Sequence, residues 1–261
     1  MQDILNIILS KFDSLSDSNQ QIAKIILRYP DEIPKYKITE LANKSSVSIS
    51  TVTKFCKFFN LEGFDELKYM IKYRSSTGNI EDKLLLTLST THLNIASKIN
   101  SVVKLINKNS KIYIFAKSNS ANIAFDFYYK ISKIRPNVIF ERDSLLIDDA
   151  VSKITNGVVI LVSNSANSYI CNVAEKLHSN RKVKIISVTN NTNSKLNNLS
   201  DITLCGIPFE IDSTIKQYLP FNSKYSLMYI LDLFFYTYFQ LDYNKNLDKL
   251  LQCRLKVNEF F

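Results

Sequence analysis

The sequence predicts a two-part chain of class α plus α/β. An all-helical head occupies residues 1–76, a helical connection 77–92, and a three-layer α/β/α body with a five-stranded parallel sheet 93–261. Three observations predict it. A capped pair of short helical patterns with a turn between them lies at Ile38 to Phe58. The turn-like SSTGN of Ser75 to Asn79 follows, and beyond Ser110 short β-rich runs alternate with helical ones.

The head opens with helical patterns at Ile4 to Phe12 and Asp17 to Tyr29, the second starting from Ser16 and stopped by Pro30. In the central pair, Ile38, Leu41 and Ala42 form an inward stripe at i, i+3, i+4, Val47 falls in the turn, and Val52 and Phe55 anchor the second helix. Thr39 is the expected N-cap of the first helix, with Glu40 near its positive end. Ser48 is that of the second, accepting from the amides of Ser50 and Thr51. A further helix, Phe64 to Tyr73, follows Gly63, and two more patterns cover Glu81 to Leu88 and Asn94 to Lys108. In the body, strands are expected at Lys111 to Phe115, Asn137 to Phe140, Val158 to Val162, Lys184 to Val188 and Ile202 to Leu204. Helices at Ala121 to Ile134, Ser144 to Lys153, Tyr169 to Ser179 and Lys195 to Leu199 separate them. Such alternation implies a parallel sheet covered on both faces, with ligands at the carboxyl ends of the strands.

Two clusters point to function. The helix at Ile49 to Phe58 turns Ser50, Thr51, Thr53, Lys54 and Lys57 outward, and Lys44 and Ser48 flank it. Small hydroxyls and lysines at the front of a helix suit base edges and phosphate oxygens in a major groove, so double-stranded DNA is the expected partner. A pair of short helices in a packing module, with a solvated polar face, is the competing reading of the same pattern. The second cluster follows two strands: KIYIF leads into AKSNSAN, and VVILV into SNSANS. Ser118, Ser120, Ser163, Ser165 and Ser168 then stand before helices, where exposed amides and a positive dipole suit a phosphate. Serines after strands also serve as ordinary N-caps.

Composition narrows the classes. Hydrophobic content of 46% and charged content of 22% are those of a soluble globular protein. The longest apolar run, Tyr225 to Phe239, is broken by Asp232 and is shorter than the roughly 20 residues a bilayer-spanning helix needs. MQDILN carries no signal-peptide pattern. Cys56, Cys171, Cys205 and Cys253 form no C-x-x-C pair, and His92 and His178 are the only histidines, so no metal site or cofactor is expected and the thiols read as reduced and cytoplasmic. Residues 1–76 hold 11 Lys and Arg against 9 Asp and Glu, so most of the net +9 lies outside the head, and phosphate contacts rest on local lysines.

From Phe12 to Lys68 the chain resembles the N-terminal domain of the RpiR family of bacterial transcription regulators. The resemblance is carried by Leu15, Ser16, Ile22-Ala23, Ile26, Tyr29-Pro30, Leu41-Ala42, Val47-Ser48, Thr51-Val52, Lys54-Phe55-Cys56, Gly63-Phe64 and Leu67-Lys68. The three segments IFAKSNSANIAFDFYYKI, VILVSNSANSYICNVAEKL and IISVTNNTNSKLNNLSDITL look like the loop regions of the phosphosugar-binding sugar isomerase (SIS) domain, and Ser223 to Tyr236 is similar to its closing helix. The resemblance implies phosphate-binding hydroxyls at Ser118 or its neighbour Asn119, Ser120, Ser163, Ser165 and Ser168, with Thr192 and Ser194 as weaker candidates. The chain departs from the pattern at Ser46, Ala116, Ser118 and Ala166, where the family usually has glycine, and at Asn167 and Ser168. The added side chains are expected to narrow the ligand site.

Three classes of function stay open. One is a regulator that binds an operator as a homodimer or higher oligomer and answers to a phosphosugar. Another is a regulator whose second domain is only a dimerisation scaffold. The third is a sugar-phosphate isomerase. Isomerisation needs a placed acid and base, and His92 and His178 are poorly placed for it, so no catalytic residue is assigned. Tyr225, Met228, Leu231, Phe234, Phe235 and Tyr238, at helical spacing, read as core or dimer contact.

Overall fold

The computed structural model describes residues 4–72, 80–109, 111–208 and 222–258. The chain divides into two compact units, with the change falling between Leu93 and Asn94. The expected linker at 75–79 and the end of the helix at Tyr73 lie outside the described residues. Among the described residues, no helix is long and apolar enough to cross a membrane.

The first unit is helical: α1 (Ile4–Ser10), α2 (Asp17–Arg28), α3 (Ile38–Lys44), α4 (Ile49–Phe58), α5 (Phe64–Lys72) and the start of α6 (Ile80–Lys108). Its core gathers one apolar stripe from each of the first five helices, Leu5 and Ile8, Ile22 and Ile26, Leu41, Val52 and Phe55, Leu67 and Ile71, all buried. The Phe55 and Phe59 rings meet at 4.9 Å between centroids. The first helix stops at Ser10 rather than Phe12, and a 3₁₀ turn over Phe12–Ser14 takes its place.

The second unit holds strands β1 (Ile112–Ala116), β2 (Val138–Glu141), β3 (Gly157–Ser163), β4 (Val183–Thr189) and β5 (Ile202–Cys205), all parallel, in the order β2-β1-β3-β4-β5. Alternate strand residues serve opposite faces. Ile112, Ile114, Val158, Ile160 and Ile186 pack with α6, α7 (Ser118–Ser132) and α11 (Asn222–Gln240). Tyr113, Phe115, Val159, Leu161 and Ile185 pack with α8 (Ser144–Lys153), α9 (Ser168–His178) and α10 (Lys195–Leu199). Leu231, Phe234 and Tyr238 of α11 belong to the first of these cores, with Met228 and Phe235 against it.

Further expectations are corrected. Thr39 does not cap α3: the N-cap position falls to Lys37, whose amide donates to the Glu40 carboxylate at 2.6 Å, so the acid placed near the dipole also closes the start of the helix. The two patterns at 81–88 and 94–108 are one helix, α6. Nothing in Ser89 to Leu93 breaks it, and the Thr87 and Thr90 hydroxyls are satisfied by carbonyls one turn back, at Lys83 and Leu86. Helix α7 begins three residues earlier than Ala121, so Ser118 and Ser120 form its first turn rather than preceding it. A last helix, α12 (Tyr243–Asn258), has no counterpart in the sequence pattern. Lys249 Nζ donates to the Ile134 carbonyl at 2.8 Å, which ties it to the end of α7.

Candidate functional site

The α3–α4 pair is built as a helix-turn-helix. The chain leaves α3 through Ser45 and Ser46, and Ser46 takes φ of 55°, the left-handed conformation that favours glycine. The Val47 amide returns to the Ala42 carbonyl at 2.9 Å, satisfying an orphan acceptor at the end of α3. Ser48 Oγ then caps α4 by accepting from the Thr51 amide at 3.1 Å. The expected second amide donor, Ser50, instead meets Ser48 through its hydroxyl, at 2.7 Å between oxygens.

Val52, Phe55 and Cys56 bury one side of α4, which leaves Ser50, Thr53, Lys54 and Lys57 exposed on the other and Thr51 half-buried. Ser48 and Lys44 are exposed as well. The Lys44 ammonium lies 5.3 Å from the Tyr36 ring centre and 6.0 Å from that of Tyr29, so cation–π attraction holds it beside the turn. Burial pushes the Cys56 thiol up to about 11, which leaves it a packing group rather than a nucleophile.

The serine loops sit where the strand order turns outward from the β1–β3 pair, the position at which parallel sheets open a crevice. The loops are bonded together: the Asn164 amide after β3 donates to Ser120 Oγ of α7 at 3.1 Å. Ser163, at the end of β3, is only 4% exposed. Ser118, Asn119, Ser165 and Ser168 are exposed around it. Ser118 and Ala166 take φ of 52° and 51°, so two of the expected glycine positions keep the glycine conformation without glycine. The third, Ala116, ends β1 and is buried in the sheet core. The Ala166 methyl is buried in the core with Ile170 and Cys171.

Neighbouring side chains brace these loops. Asn167 caps α9, accepting from the Ile170 amide at 3.0 Å. Lys117 Nζ lies 4.3 Å from the Tyr169 ring centre and donates to Ser144 Oγ, so its charge is committed to the start of α8. In the third loop Ser194 Oγ donates to Asn197 Oδ1 at 2.9 Å, and Thr192 is half-buried. The brace that matters most, Asn190, escapes sequence reasoning. Its amide nitrogen donates to Asn164 Oδ1 at 2.7 Å and to the Ser223 carbonyl at 2.8 Å, while its Oδ1 accepts from Ser226 Oγ at 2.7 Å. The one sequence signal is Gly206: a Cβ there would collide with Asn190 Oδ1.

Several acids and one histidine of the body are occupied structurally. Asp126 and Asp232 share Lys130, Glu175 pairs with Lys195, and the His178 ring bonds to the Leu199 carbonyl at 3.0 Å.

Comparison with known proteins gives both halves a common setting. Residues 2–78 match the rpiR-family helix-turn-helix domain and residues 104–236 the SIS domain. The HTH-type transcriptional regulator HexR of Pseudomonas aeruginosa is 24% identical over 89% of this chain and 88% of its own length. The structure of the Vibrio vulnificus NanR protein complexed with ManNAc-6P superposes with a TM-score of 0.59 at 20% identity, covering 98% of this chain and 99% of that one. The sugar isomerase domain of an RpiR transcription factor from Sphaerobacter thermophilus gives 0.59 at 12% identity over 67% and 96%. With a helix-turn-helix head and a SIS body in that order, the chain belongs to the RpiR family of helix-turn-helix transcriptional regulators.

Proposed function

We propose that the chain controls transcription by binding an operator through α4, and that a phosphosugar held at the loops after β1 and β3 alters that binding. Residues 1–76 take the DNA-reading role, 93–261 the effector and dimerisation role, and 77–92 connect them. Base edges and phosphates fall to Lys44, Ser48, Ser50, Thr51, Thr53, Lys54 and Lys57. The effector phosphate falls to Ser118, Asn119, Ser120, Ser163, Ser165 and Ser168. An operator on bacterial DNA places the protein's action in the cytoplasm.

The observation that carries the effector reading is the joining of the two serine loops at the β1–β3 crevice, where the Asn164 amide donates to Ser120 Oγ and Ser118, Asn119, Ser165 and Ser168 stand exposed around it. Exposed hydroxyls beside the first amides of a helix suit a phosphate. The left-handed turns kept at Ser118 and Ala166 favour this reading over a scaffold that has lost its ligand, since an unused loop has no need of strained backbone. The sugar bound by the Vibrio vulnificus NanR protein, ManNAc-6P, makes phosphorylated sugars the first panel to test. Large apolar side chains left exposed on α7 and α11, Phe125, Tyr129 and Tyr236, support a homodimer formed by the body. Twofold packing of this kind matches a palindromic operator.

The test is operator binding by the full-length protein, with and without each sugar phosphate. Joint replacement Thr51→Ala and Lys54→Ala is expected to weaken specific operator binding. Joint replacement Ser163→Ala and Ser165→Ala is expected to leave operator binding intact and remove its response to the sugar phosphate. An unchanged response moves the effector elsewhere. Turnover of a sugar phosphate by purified protein revives the isomerase.

A further inference from the structure

Ile49 opens the DNA-facing helix and is 47% exposed, although α4 has a buried side that an isoleucine could have joined. Its neighbours are polar, yet much of their hydrogen-bonding capacity is used within the helix. Ser48 Oγ accepts from the Thr51 amide and meets both Ser50 Oγ and Thr51 Oγ1, at 2.7 and 2.8 Å. Thr53 Oγ1 donates to the Ile49 carbonyl at 3.2 Å. The first turn of α4 therefore offers a compact, self-bonded group of hydroxyls with one apolar side chain beside it.

When such a helix enters a major groove with its N-terminal end toward the bases, its first residues face the base edges. Ile49 has no donor or acceptor to offer there. Placed against guanine, adenine or cytosine edges, it would strip water from polar atoms and return nothing. The apolar group that the major groove presents is the C5-methyl of thymine. We infer that Ile49 is a specificity-determining residue that selects thymine in each operator half-site by contact with that methyl group. The inference rests on α4 being the DNA-reading helix, and it adds a residue whose contribution is apolar, salt-independent and confined to one base pair. Lys54 and Lys57 act on phosphates without regard to sequence.

The experiment begins with selection of binding sites by the full-length protein from enzymatically synthesised random duplex, in which thymine is the only source of a C5-methyl group. Each thymine of the enriched half-site is then replaced by deoxyuridine, which removes the methyl and nothing else. Loss of one methyl contact is expected to weaken binding about fourfold per half-site, the equivalent of about 0.8 kcal/mol for a buried methylene-sized group. The Ile49→Ala protein is expected to bind the thymine duplex weakly and to be indifferent to deoxyuridine at that one position, while keeping the wild-type thermal midpoint. The inference is overturned if no deoxyuridine substitution changes wild-type affinity, if the half-site contains no thymine, or if Ile49→Ala keeps the full deoxyuridine penalty. Failure of the underlying DNA reading looks different: no sequence is enriched at all.

Discussion

Ser46, Ser118 and Ala166 stand in left-handed backbone where a side chain is strained, and each invites a substitution. At Ser46, φ of 55° makes Ser46→Gly a relief of strain partly offset by the greater freedom of glycine in the unfolded chain. The expected gain is a few tenths to about 1 kcal/mol, read as a raised urea midpoint with unchanged slope. Ser118→Gly has the same sign in the body, whereas Ala166→Gly also gives up a buried methyl that offsets the relief. Cys56 yields a pH prediction. Its thiol is raised from 9.0 to about 11 by burial, so the folded head holds that proton more tightly than the unfolded chain does. Its contribution is complete below pH 9 and is lost as pH rises toward 11. Alkaline unfolding of the head is expected to flatten over that window in Cys56→Ala, followed by circular dichroism. The exposed residues of α4 and the serines of the loops were legible because a period of 3.6 and the ends of strands are visible in a sequence. The role of Asn190 was not, since its partners Asn164, Ser223 and Ser226 are distant in the chain and only folding brings them together.

At the scale of elements, the strands were read to within a residue or two because buried parallel strands are continuous apolar runs. The missed elements failed for local reasons. The start of α3 was misplaced because a backward bond from Glu40 replaced the forward cap that a hydroxyl at Thr39 suggested. The continuity of α6 was hidden by the polar stretch Ser89 to His92, and α12 by the absence of a wide apolar stripe. The joint between β4, β5 and α11 gives the sharpest test. Gly206→Ala would drive its methyl into Asn190 Oδ1 and set it 2.8 Å from Ser226 Oγ, so Asn190 must leave its partners. The expected loss is about 2 kcal/mol of stability in the body, measured by denaturant unfolding. Combined with Asn190→Ala, which clears the carboxamide, the glycine substitution is expected to cost much less than it does alone.

For the whole molecule, charge and symmetry set what is measured. The net +9 favours binding to any duplex, while sequence preference rests on a few residues of α4. Operator affinity is expected to fall steeply with salt, and Lys54→Ala with Lys57→Ala to reduce the log–log slope by about two for each head engaged. Sedimentation of the free protein and of the complex checks whether two heads bind one operator. The order of the two domains could be read in the sequence from the change in pattern beyond Ser110, and the body was expected to begin at residue 93, beside the place where one unit gives way to the next. That place, between Leu93 and Asn94, lies inside an unbroken helix. Scissors applied there would leave one fragment with four carbonyls and the other with four amides stripped of their intrahelical partners. Anyone wishing to study the body alone, or to graft it onto a different reader, should therefore let the excised piece begin no later than Ile80 and carry the whole helix as its handle.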